Sequence, residues 1–277
     1  MIKVLQSAAE NLLCGSRKVR TIAGITVMLA FSMAIAQQET PAGHDWSYSG
    51  ELGPPRWGDL KADYATCKLG QLQSPIDIRN ARKAPLPPIT FDYKPSALKI
   101  IKTGHTIQVN YDPGSFISVG NKRYELRQFH FHHPSEERIE GKAYEMAVHL
   151  VHADPEGHLA VVAVLLRAGG TNPTIQKLWE YLPSNEGIEK SIVGMRVNAG
   201  NLLPQSLGYY TFEGSLTTPP CSEGVTWFVL KNPREVSALQ ITTFAKVYPH
   251  NARPTQPLNG RMISESESLT AKIGTSE

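Results

Sequence analysis

Residues 128–136 read QFHFHHPSE, which puts three histidines within four positions. Read as a strand, residues i and i+2 share one face. His130 and His132 then project together, with Gln128 beside them, while Phe129 and Phe131 turn the other way into apolar packing. Two imidazoles converge on one point without any bend of the chain. His133 falls on the opposite face and does not join them by this logic.

A third ligand has to come from another segment. The next strand-like run, 144-YEMAVHLVHADP-155, follows the turn-rich 134-PSEERIEGKA-143. If the two runs pair as neighbours, one face of the second carries Glu145, Ala147, His149 and Val151. The other face carries Met146, Val148, Leu150 and His152. His149 is thus the partner for His130 and His132. Three neutral imidazoles leave one corner of a tetrahedron open, the donor set of catalytic zinc. From these segments alone, solvent-facing histidines or a structural site completed by a carboxylate stay open.

Outward from this stretch the pattern is predominantly β. Short apolar runs (PITFDY, ALKIIKTG, HTIQVNY, SFISV, YELRQFHFHH, EMAVHLVHA, LAVVAVLLRAG, GYYTFEGSL, VTWFVL) are separated by Pro, Gly, Asn and Asp. Helical periodicity is scarcer. TIQKLWEYL follows an Asn172-Pro173 start signal, and SALQITTFAKVY has Ser237 as its N-cap. The segment from Gln37 to Leu60 reads as an irregular arm. The tail from Ile263 is polar and is expected to fray. The domain reading is a leader over 1–36, one domain over 37–262 and a polar tail over 263–277.

The leader reading rests on Arg17, Lys18 and Arg20 ahead of 21-TIAGITVMLAFSMAIA-36, which ends in Ala34-Ile35-Ala36. A basic start, an apolar run shorter than a bilayer span and an A-x-A site form an export signal. No membrane span is expected after cleavage, and the mature protein is expected in the periplasm or secreted. Loss of Lys3, Arg17, Lys18, Arg20 and Glu10 with the leader brings the formal charge of +3 to neutral. A neutral chain without a basic run offers no footprint for nucleic acid. Cys67 and Cys221 would remain as an even pair, and export permits a disulfide between them. Two buried free thiols are the alternative.

With HDWSY, QSPIDI, GHTIQV, QFHFH, HPSE, VHLVH, GSLTTPPCSEGVTW and RPTQPL in this order from about residue 44 to 258, the chain resembles an α-class carbonic anhydrase. The resemblance implies a mostly β, α+β single domain on a large central, mainly antiparallel twisted sheet with a few short peripheral helices. It implies Zn²⁺ on His130, His132 and His149, and reversible hydration of CO₂ to bicarbonate and a proton by zinc-hydroxide attack. Thr217 would orient the attacking oxygen and pass its own proton to Glu136. His105 would be the proton shuttle. Val151, Val161, Leu216, Thr218, Val225 and Trp227 would line the substrate pocket. Gln128 would accept from the free ring nitrogen of His130, and a backbone carbonyl from that of His132. The partners implied are CO₂ and bicarbonate, with a homodimer left open.

One departure stands out. Relatives commonly carry a Glu two residues before the third zinc histidine, where this chain has Ala147. Glu145 or a water is expected to take its place. Thr103 and Gln108 stand where many relatives have Asn, and Phe212 replaces a common Tyr. Two other functions compete with the dehydratase reading. They are a non-catalytic relative acting as a binding module and a dedicated zinc esterase. Retention of all three histidines speaks against the first, and the lack of a carboxylate placed as a leaving-group acid speaks against the second.

Overall fold

The structure is a computed structural model and describes residues 45–267. The leader expected over 1–36 lies outside the described residues. Within them, no helix is long and apolar enough to cross a membrane.

One 13-stranded sheet organises the molecule. Its main path runs Lys190–Val197, Ser96–Lys102, Ile107–Asn110, Lys122–His132, Met146–Ala153, Leu159–Ala168, Glu223–Leu230, Tyr209–Ser215, Ser264–Glu265, Arg82–Lys83. The centre and most of the rest is antiparallel, as expected. Leu159–Ala168 pairs in parallel with both Glu223–Leu230 and Arg234–Val236, so the sheet is mixed.

The two faces bury different sets. Phe129, Phe131, Met146, Val148 and Leu150 belong to the larger core, together with Ile175 and Leu178 of helix Pro173–Glu180 and Phe244 of helix Ala238–Ala245. Ala147, Val161, Ala163, Val225 and Trp227 pack on the other face in a smaller cluster. This is the period-2 alternation that the sequence shows around the histidines.

Both expected helices form, with the caps their sequences call for. The Asn172 side chain accepts from Thr174 and Ile175 N–H, and Pro173 occupies the first turn, where its missing N–H costs nothing. Ser237 and Gln240 close a reciprocal capping box.

The arm ahead of the sheet is not irregular throughout. It folds into 3-10 turns and two four-residue helices, Trp57–Leu60 and Thr66–Leu69. Trp57 is fully buried, and its indole N–H donates to the carbonyls of Ser47 and Leu52. Cys67 and Cys221 are joined in a disulfide across 154 residues, tying the arm to the loop that follows Thr217.

The tail boundary is a correction. Ile263 is buried rather than frayed, and Ser264–Glu265 pairs with Tyr210 and Thr211. Lys231 Nζ holds this short strand through Glu265 and the Ser266 carbonyl. A polar composition disguised a strand whose side chains are tied down by a lysine.

Candidate metal centre

Strands Lys122–His132 and Met146–Ala153 are antiparallel neighbours, and their register sets His130 opposite His149 and His132 opposite Ala147. All three rings project from one face. Their centroids lie 5.0 Å (His130–His132), 4.5 Å (His132–His149) and 5.5 Å (His130–His149) apart. One nitrogen from each lies within 4.8 Å of the others, close enough to share an ion. His133 turns away, and its Nδ1–H donates to the Pro249 carbonyl.

The outward nitrogens fix each ring. His130 Nδ1–H donates to Gln128 Oε1 at 2.8 Å. His132 Nδ1–H donates to the Asn251 carbonyl at 2.8 Å. His149 donates from Nε2 to the Glu137 carboxylate at 3.1 Å. The first acceptor is the expected one, and the second is a carbonyl as expected. The third corrects the sequence reading. Glu145 is exposed and Ala147 has no acceptor, so a loop glutamate serves His149 instead. The converging atoms are then Nε2, Nε2 and Nδ1, each a lone-pair donor.

The rings and their surroundings are poised for a cation. Burial, with the nearby His149 charge, pushes His130 down to about 3 and His132 well below its ordinary value. Burial acts the same way on His149, but the charge and hydrogen bond of Glu137, aided by Glu136, raise it overall. His132 Nε2 is buried without a hydrogen-bond partner among the described residues, as is Glu136 Oε2. That oxygen stands 3.5 Å from His132 Nε2 and 3.8 Å from His149 Nδ1. Orphaned buried atoms of this kind are costly unless something binds them. Three imidazoles with fixed outer nitrogens suit zinc, which would take the place of any proton on His149 Nδ1.

Glu136 itself is pinned. Its Oε1 accepts the Arg253 backbone N–H at 2.8 Å. Burial pushes its carboxyl up to about 7, against the lowering influence of His149, the Thr217 hydroxyl and that N–H. The Arg253 guanidinium is buried nearby and donates to Gln73 Oε1, the Ser74 carbonyl and the Cys67 carbonyl.

Above the rings lies a cavity of about 240 Å³. His105, Thr217 and Thr218 line it with Gln128 and the three histidines, and Val151, Val161, Leu216 and Trp227 supply its apolar part. His105 stacks on Trp46 with centroids 3.6 Å apart and donates from Nε2 to the Trp46 carbonyl. Val225 is not among the residues lining this cavity; it is buried two residues before Trp227 on the same strand face, in the cluster that also holds Val161 and Trp227.

Sequence reasoning missed Glu137, Asn251, Arg253 and Trp46. The doubled glutamate of 135-SEE-137 was the available signal for the first. A larger hollow of about 980 Å³ carries a second close trio, Asp154, Glu156 and His158. Glu156 and His158 are exposed, and Asp154 is engaged by His158 Nδ1 at 2.9 Å, so it is a solvated turn.

A mostly β fold carries three strand-borne imidazoles that could hold a metal ion at the floor of a cavity. Residues 52–267 match the family model for eukaryotic-type carbonic anhydrase. A carbonic anhydrase of Nostoc sp. is 41% identical, over 90% of this chain and 97% of its own. Among solved structures, a hyperthermostable carbonic anhydrase from an active hydrothermal vent chimney is 49% identical, with a TM-score of 0.78 over 80% of this chain and all of its own. The α-carbonic anhydrase of Thermovibrio ammonificans, in complex with sulfanilamide, is 43% identical, with a TM-score of 0.77 over 81% of this chain and 100% of its own. The chain belongs to the α-class carbonic anhydrase family and is an enzyme of that family.

Proposed function

We propose that the protein catalyses the reversible hydration of CO₂ to bicarbonate and a proton, with zinc held by His130 Nε2, His132 Nε2 and His149 Nδ1. One observation carries this reading: three imidazoles, two buried and one half-buried, aim lone pairs at one point while their other nitrogens are tied to fixed acceptors. Bound zinc supplies the Lewis acidity that makes water nucleophilic at neutral pH, the known behaviour of zinc in carbonic anhydrases.

The remaining steps fall to side chains. Thr217 lines the cavity, and its hydroxyl acts on Glu136, so it can accept a hydrogen bond from the attacking oxygen while its own proton goes to the carboxylate. Val151, Val161, Leu216 and Trp227 offer an apolar wall to a substrate without charge, and Thr218 completes the rim. His105 lies in the same cavity, and an imidazole is the side chain whose ordinary pKa suits proton transfer to solvent. Export to the periplasm or medium is consistent with the Cys67–Cys221 disulfide, since such bonds persist in oxidising surroundings.

The test is metal analysis and stopped-flow CO₂ hydration on wild type and His149→Ala. About one zinc per chain and rapid hydration are expected for wild type, with both lost in the variant. Equal activity in the two would remove the assignment.

A further inference from the structure

We propose that Glu137 is the positioning residue that orients His149 toward the metal, a task for which strand position 147 has only an alanine. The inference rests on the zinc reading above and deepens it.

Among nearby carboxylates only Glu137 fits. Glu136 addresses the other nitrogen of the ring: its Oε2 is 3.8 Å from His149 Nδ1, and its Oε1 is held by the Arg253 N–H. Glu145 is exposed, and Ala147 is fully buried with no polar atom on its side chain. Glu137 lies 3.1 Å from Nε2, the nitrogen pointing away from His130 and His132. The two consecutive glutamates thus bracket one imidazole, each on a different nitrogen.

The carboxylate is held firmly from both chain directions. On the near side, Ser135 Oγ donates to the Glu137 carbonyl and accepts the Tyr144 N–H, closing the loop on itself. On the far side, strand Arg138–Ile139 pairs in parallel with Asp77–Ile78, and the Arg138 N–H donates to the Ile76 carbonyl. Glu137 is fully buried, and its Oε1 has no hydrogen-bond partner among the described residues. A buried carboxylate is costly unless it is paired. Its pairing here is with His149.

The chemistry follows from the donor direction. With Nε2–H donated to a carboxylate, the proton stays on Nε2, and the Nδ1 lone pair is left for the cation. The negative charge also makes that lone pair a better donor. Loss of such a partner typically weakens metal binding about 10–100-fold, a range partly established on carbonic anhydrase itself.

The experiment measures zinc affinity and the imidazole ¹⁵N–¹H spectra of full-length wild type, Glu137→Ala and Glu137→Gln. Zinc binding should weaken by about 10–100-fold in the alanine variant and by less in the glutamine variant, which keeps an oxygen in place. In the zinc-loaded wild type the His149 Nε2–H should be downfield and slow to exchange. In Glu137→Gln it should move upfield and exchange faster, with the His130 and His132 signals unmoved. The glutamine variant and its spectra keep the test decisive if the alanine variant fails to fold. Unchanged zinc affinity in either folded variant, or an unmoved His149 signal, would overturn the proposal. A wild type that binds no zinc would instead overturn the metal reading and the role with it, while the Glu137–His149 hydrogen bond would still be visible in the apo spectra.

Discussion

His130 and His149 face each other directly across two adjacent antiparallel strands. The pairing makes the histidine cluster a consequence of sheet register. A slip of one residue would turn every side chain of one strand to the other face. Either Phe129 and Phe131 or Val148 and Leu150 would then leave the larger core. The apolar packing behind the sheet therefore holds the imidazoles in front of it.

Removing the metal should cost stability, because His132 Nε2 and Glu136 Oε2 have no hydrogen-bond partner among the described residues. A ligand that binds only the folded state at about 100 times its dissociation constant stabilises it by about 2.7 kcal/mol. For a domain of this size that corresponds to a rise in Tm of about 5–10 °C. Thermal unfolding after chelation, and again after zinc is restored, measures it. Identical melting in both states would contradict a preformed site.

Arg253 should be a stability residue whose loss reaches the active site. It is buried, its guanidinium serves three acceptors on the segment from Cys67 to Ser74, and its backbone N–H holds Glu136. Arg253→Ala leaves those acceptors buried and unpaired, at a cost of about 3–5 kcal/mol. Arg253→Lys should recover only part of this, since an ammonium cannot reproduce the guanidinium fork. Urea denaturation midpoints decide. A lysine variant as stable as wild type would show that charge alone suffices.

The sequence made the first two histidines of the cluster legible because a strand repeats every second residue. The third followed from the same alternation in the next run. The caps at Asn172 and Ser237 were legible because capping is local chemistry. Glu137 was not, since it reaches His149 from a loop and no spacing rule connects them. The edge strand Lys190–Val197 was missed for another reason. It is mostly exposed, and its pairing is interrupted between Ile192 and Arg196 around Gly194, so it lacks the alternation that marks a half-buried strand.

The disulfide should stabilise chiefly by restricting the unfolded chain. Closing a loop across 154 residues contributes on the order of 5 kcal/mol in the chain-entropy model, and about 2–5 kcal/mol is the usual loss when a native bridge is removed. The paired variant Cys67→Ser/Cys221→Ser avoids a stray thiol. Its guanidinium midpoint should fall by a corresponding amount, and added reductant should lower the wild type but leave the variant unmoved. Equal midpoints without reductant would mean that packing around Trp57 holds the arm unaided.

His152 gives a pH dependence separable from the metal. It lies on the opposite face from His149, fully buried, accepting from the Tyr93 hydroxyl at Nε2 and donating from Nδ1 to the Ala160 carbonyl. Burial drives its pKa down to about 3. The unfolded chain takes up this proton below about pH 6.5, whereas the folded protein refuses it until about pH 3. Stability contributed by the neutral ring is therefore complete above about pH 6.5 and is lost as pH falls through that window, by up to about 1.4 kcal/mol per pH unit. In His152→Gln this single-proton slope should disappear. Denaturation of wild type and variant between pH 7 and pH 4, both zinc-loaded, compares the two slopes. Parallel curves would mean that the folded protein accepts the proton at His152 after all.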